Sequence, residues 1–97
     1  MVKLELCVLL WAVEDQEQAL TDYENQVLAL LPRHGGVVIS RVRRIGGGSG
    51  PTEVQVIHLP DDSALHAFIA DPERLALADE HRRSVAKTEV LTVRTIV

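Results

Sequence analysis

VQVIHLPDDSALHAFIADPERLALADEHRR, residues 54–83, is the stretch whose reading decides the architecture. Val54, Val56 and Ile57 are β-branched residues in a short apolar run, so a strand is expected over 53–59. Pro60 has no N–H to give a ladder and ends it. Asp61, Asp62 and Ser63 are all side chains that accept from the free N–H groups of a helix start, so the strand feeds directly into a helix. Leu65, Phe68 and Ile69 share one face of that helix. Asp71-Pro72 starts a second short helix, with Asp as cap and Pro in the first turn, and is expected to lay Leu75, Ala76 and Leu77 onto the sheet.

Working outward, residues 37–45 read as a second strand, joined to the third by the GGGSGPT connection at 46–52. Those glycines do not form a phosphate cradle, because a strand and not a helix N-terminus follows them; a hairpin loop is expected. Residues 14–33 read as one long helix, with Ala19, Leu20, Tyr23, Val27, Leu30 and Leu31 at three-and-four spacing and acids toward its N-terminal half. His34-Gly35-Gly36 ends it, one glycine supplying a left-handed cap. At the two ends of the chain, residues 2–13 read as the first strand and the β-branched run 85–97 as the strand that closes a four-stranded antiparallel sheet, the last long enough to reach a neighbouring subunit. The order is strand, helix, strand, strand, helix, strand, an α+β chain in one domain over 1–97.

The first strand carries a demand of its own. Its run LCVLLWAV is apolar at both parities, and the helices suffice to cover only one face of the sheet. The other face is expected to meet a second copy, since exposed apolar patches of that size are unusual on monomers.

Composition narrows the function. Net charge is −4 and the arginines are interleaved with acids without an aromatic ladder, which argues against nucleic acid as partner. No apolar run approaches ~20 residues, so no membrane span is expected, and Lys3 and Glu5 interrupt the N-terminal run where a leader would be continuous. The lone Cys7 has no partner for a disulfide, which fits a reducing cytoplasm. Histidines at 34, 58, 66 and 81 lack metal-ligand spacing, and no nucleotide fingerprint is present, so neither metal nor cofactor is expected.

HGG at 34–36, VIHLP at 56–60 and PE at 72–73 together make the chain resemble the dimeric α/β-barrel superfamily, nearest to its small uncharacterised members related to antibiotic-biosynthesis monooxygenases and polyketide cyclases. The resemblance implies a ferredoxin-like βαββαβ monomer that dimerises into an α/β barrel, with a ligand cavity between sheet and helices. It also implies that cofactor-free monooxygenases, isomerases and cyclases are among the relatives. At position 58 many look-alike members carry Glu, and near 81 an Arg, so His58 and His81 depart from that pattern.

Candidate residues follow. His58 ends the third strand at the parity of Val54 and Val56 and is expected at the mouth of the cavity, where a histidine near neutrality is a general base; a paired sheet-edge histidine is the plain alternative. His81, with Arg82 beside it, is the second catalytic candidate, for holding an anion, against the alternative of a solvated helix end. Arg41 and Arg43 lie two apart on one strand face with Val37 and Ile39, either for a substrate acid or for ion pairs with Glu53 or Glu89. Trp11, Tyr23 and Phe68 are the aromatic residues for a flat ligand, or else core. Two functions fit: a cofactor-free enzyme acting on a small cyclic or aromatic metabolite, or a non-catalytic ligand-binding or interaction dimer.

Overall fold

The computed structural model describes residues 3–97. Four antiparallel strands form an open sheet in the order β2-β3-β1-β4, with β1 at Leu4–Ala12, β2 at Val37–Arg43, β3 at Glu53–Leu59 and β4 at Val85–Thr92. Between β1 and β2 lies α1, Glu17–Leu28; between β3 and β4 lie α2, Asp62–Ile69, α3, Pro72–Leu75, and α4, Ala78–Ser84. The βαββαβ order is the expected one, and the fold is α+β and ferredoxin-like. Met1 and Val2 of the expected first strand fall outside the described residues.

The deciding stretch folds as its chemistry requires. β3 spans the expected 53–59, and Asp61 caps α2 by accepting from Ala64 N–H. Asp71 caps α3, with Pro72 in its first turn. Beyond it the expected second helix is two: the chain pauses after Leu75 and resumes in α4, so Leu75 is exposed and only Leu77 packs on the core.

α1 is shorter than the apolar spacing implies. Pro32 has no N–H to return to Leu28, so the α-helix stops there and a 3₁₀ turn, Leu31–His34, carries the chain onward. Gly35 then takes the left-handed cap at φ 75°. A Cβ on Gly36 would stand 2.6 Å from Leu31 Cγ and 2.9 Å from Leu59, so this glycine permits the turn to close on β3. HGG is thus structural punctuation.

Strand parity divides the molecule. Leu6 and Leu10 of β1 and Ile57 and Leu59 of β3 face the helices and meet Leu20, Val27 and Leu31 in the core. Cys7, Leu9, Val54 and Val56 face the other way, where no helix lies, continued by exposed Val42 and Leu91 on the edge strands. The two-sided apolar character of β1 is therefore real, and the helices cover one side of it. β4 ends at Thr92, earlier than its β-branched run implied. Val93 N–H donates to Glu5 O, and both Thr95 N–H and Thr95 Oγ1 donate to the Glu5 carboxylate, which holds the tail against β1.

Candidate functional site

Between the helices and the sheet lies a cavity of about 310 Å³. Its floor is the inner face of β1, β3 and β4, including Leu6, Val8, Ile57 and Val90; α1 and α2 wall it with Val27, Leu65 and Phe68. Into this apolar space come Tyr23 and Glu24 from α1, Gln55 from β3, Arg74 from α3 and His81 from α4. A volume near the lower end of small-molecule sites, apolar walls and a few converging polar groups make it the molecule's candidate ligand site.

Glu24 is the least expected of these. It is buried, and Gln55 Nε2 donates to its Oε1 at 2.7 Å and to Glu53 Oε2 at 2.7 Å. Burial pushes the Glu24 carboxyl above the usual carboxylate range, opposed by the Gln55 hydrogen bond and by the Arg41 and Arg74 charges. Tyr23 is buried beside it, and loss of solvent raises its phenol pKa while Arg74 pulls the other way. His81 stands at the mouth as an exposed side chain, one side of its ring edge-on to Tyr23 with centroids 5.4 Å apart. Partial desolvation, and then the Arg74 charge, lower its pKa below that of an ordinary histidine, which keeps it neutral and able to accept a proton at pH 7. Perturbed titratable groups gathered in a cleft are a recognised mark of function.

Of the residues singled out in the sequence, Tyr23, Phe68 and His81 are brought together here. His58 is not. It belongs to the helix-free face, opposite Val37 and Glu5, with its Nε2 3.0 Å from Glu5 Oε2 and a groove of about 190 Å³ beside it. The parity that puts Gln55, Ile57 and Leu59 under the helices necessarily turns Val54, Val56 and His58 away. Trp11 faces the same side, donating to Ser49 O with Lys87 Nζ 4.5 Å above its ring, away from the cavity beneath the helices.

Arg41 and Arg43 do point the same way, but not with Val37. A bulge between Val38 and Ser40 reverses the parity, so Val37 opposes His58 while Arg41 opposes Gln55 and Arg43 opposes Glu53. Arg41 Nε donates to Glu53 Oε2 at 2.6 Å and its two Nη atoms reach Asn25 Oδ1 and Thr21 O; Arg43 donates to Glu17 O. These arginines staple β2 to α1. His34 lies 2.7 Å from Asp71 Oδ2, and His34 first among several partners draws the Asp71 pKa down. His66 is exposed. Among the described residues, no group of three His, Cys, Asp or Glu side chains is placed to hold a metal ion, and no helix is long and apolar enough to cross a membrane.

The sequence reading missed Glu24, Gln55 and Arg74. Glu24 had a signal: it lies four residues from Leu20 and three from Val27, on the buried stripe of α1, where an acid costs stability unless it is used or paired. Gln55 shares the parity of Ile57. Arg74 had none, since its placement depends on the brief turn of α3.

Solved structures share this architecture. A protein of unknown function from Rhodopseudomonas palustris matches with TM-score 0.75 at 15% identity, over 98% of this chain and 83% of that one. A dimeric protein of unknown function with a ferredoxin-like fold from Bacteroides fragilis matches with TM-score 0.71 at 10% identity, covering 96% of each chain. SnoaB, a cofactor-independent oxygenase from Streptomyces nogalater, matches with TM-score 0.71 at 13% identity, over 100% of this chain and 98% of that one. No curated protein matches in sequence. The protein is thus of the ferredoxin-like α+β class, with an open sheet face and a cavity beneath its helices. Residues 6–96 match the family model DUF1330, a domain of unknown function, and the chain belongs to that family.

Proposed function

We propose that this protein is a cofactor-free enzyme that moves a proton on a small cyclic or aromatic metabolite bound beneath the helices, working as a homodimer of single-domain subunits in the cytoplasm. One observation carries the reading: Glu24, Tyr23 and His81 border a single apolar cavity, the acid driven toward its neutral form and the histidine held neutral. His81 takes a proton from an acidic C–H or O–H of the substrate and becomes an imidazolium, while the electron pair left behind forms an enolate or phenolate. Arg74 favours that negative charge, and the apolar walls strengthen its field by excluding water. Return of the proton to another atom of the substrate completes an isomerisation or cyclisation.

Support for the dimer is the helix-free face, where Cys7, Leu9, Val54 and Val56 form an apolar centre, together with the dimeric ferredoxin-like relative from Bacteroides fragilis. Two such faces packed together make the α/β barrel. The cofactor-independent oxygenase with this fold supports chemistry without a bound group. The free Cys7 fits a reducing compartment.

The test is a thermal-shift screen of the intact chain against phenolic and quinonoid compounds, followed by turnover assays on each stabilising hit. With a turned-over compound in hand, His81→Gln is expected to lower the rate roughly 100-fold and His58→Gln to leave it within a few-fold. The wild-type rate should rise with pH up to a pKa below that of ordinary histidine and then level off, because the base works only when unprotonated. Stabilising hits that are never turned over would instead identify a non-catalytic binding dimer.

A further inference from the structure

Arg74 is the arginine that lines the cavity. Its Nη1 donates to Ile69 O at 3.1 Å and its guanidinium carbon lies over the Phe68 ring, 5.7 Å from the centroid. Its Nε is shielded from solvent and has no acceptor, and among the described residues Nη2 has none either. No carboxylate forms an ion pair with it among the described residues, whereas Arg33, Arg41, Arg82 and Arg83 each have one; Arg44 shares the unpaired, shielded Nε, but its Nη1 is spent on the 46–52 loop carbonyls and it does not line the cavity. A donor hidden from water without a partner is costly, and proteins leave few of them. Arg74 lines both the cavity and the groove of about 180 Å³ that adjoins it at Tyr23 and His81.

Resting on the cavity being the ligand site, we propose that its ligand is a ring-bearing monocarboxylate whose two oxygens accept from Nε–H and Nη2–H of Arg74, with the ring lying among Phe68, Ile57 and Val90. The free edge of a guanidinium offers two parallel donors, which match the two oxygens of a carboxylate. A phosphate dianion would call for a second cation or several backbone N–H groups, and the surrounding walls are apolar. Burial favours the neutral form of Glu24, which lessens its repulsion of the bound anion. In this arrangement the carboxylate anchors the molecule and leaves ring positions toward His81 at the mouth.

The experiment is a heteronuclear NMR titration of the full-length chain with benzoate, salicylate and 1-cyclohexenecarboxylate, each beside its neutral amide, and with phenylphosphonate. Wild-type protein is expected to bind at least one carboxylate at least roughly tenfold more tightly than its amide. Arg74→Gln should abolish that difference, Arg74→Lys should restore little of it because the ammonium lacks the fork, and Arg82→Gln should change nothing. The fold of each variant is checked by its own amide spectrum. Equal binding of acids and amides, with shifts at Phe68 and Tyr23, would overturn the carboxylate and leave the cavity as the ligand site. Preference for phenylphosphonate would also overturn it. No binding by any ring compound at millimolar concentration would overturn both readings together.

Discussion

His58 and His81 stand on opposite sides of the same sheet, and their surroundings differ in what has been left undone. On the helix-free face the polar side chains are settled: His58 lies against Glu5, Glu5 accepts from Thr95, and Trp11 donates to Ser49 O. The Thr95 hydrogen bond, and then His58, hold the Glu5 pKa below the usual range. What that face lacks is cover for its apolar centre. On the helix side the apolar groups are covered, and the polar groups are unsettled: Glu24 is a buried acid, Arg74 has a free edge, and His81 is partly desolvated without a carboxylate partner. One face wants a surface, the other a molecule.

The sharpest way to separate the faces uses neighbouring residues of β1. Leu10 points into the core and is 3% exposed, so Leu10→Ala should cost about 3 kcal/mol of folding stability in denaturant unfolding, through lost burial and the cavity left behind. Leu9 points the other way, opposite Val54, and Leu9→Ala should act mainly on association. A charge at the centre of the helix-free face goes further. Val56→Asp should weaken dimerisation on the order of 100-fold and leave, in sedimentation at low micromolar concentration, a folded species near 10.7 kDa. Wild-type protein sedimenting at that same mass would remove the contrast.

How much of this contrast was legible in the sequence depends on what fixes each part. The strand-stop-helix chemistry of Leu59, Pro60 and Asp61 acts over a few residues, so β3 and α2 could be read directly. The need of β1 for cover on both sides was also plain, because both parities of LCVLLWAV are apolar. Which parity faces the helices was not: Val54-Val56-His58 and Gln55-Ile57-Leu59 are both plausible inner faces, and the choice is made by partners distant in sequence. That choice carries His58 away from the site. The bulge at Ile39, which moves Arg41 and Arg43 to the face opposite Val37, leaves no mark in composition. Glu24 was readable as an acid on a buried stripe, but its charge also suited the N-terminal half of a helix, and the simpler explanation concealed the other.

Two smaller effects refine the comparison. Glu24→Gln should raise stability by about 1 kcal/mol at pH 7, since it removes a buried acid whose folded pKa is raised. The native carboxyl binds more protons folded than unfolded, so wild-type stability falls as pH rises from the ordinary glutamate pKa through the raised one. The advantage of the variant should therefore fade as pH is lowered. Asp71→Asn should lower stability at pH 7 and show the opposite pH dependence. The folded pKa of Asp71 is depressed, chiefly by His34, so its contribution is present above the ordinary aspartate pKa and is lost as pH falls through the depressed value. Thermal melts of wild type and variant should converge in acid.

The most direct test of the division of labour between the faces is to map, by chemical-shift perturbation, where a stabilising ring compound from the screen binds. Shifts concentrated on Tyr23, Phe68 and His81, with the Trp11 indole N–H and the His58 ring unmoved, are the predicted result. Perturbations gathered on Cys7, Trp11 and Val56 instead, with the helix side silent, would contradict it.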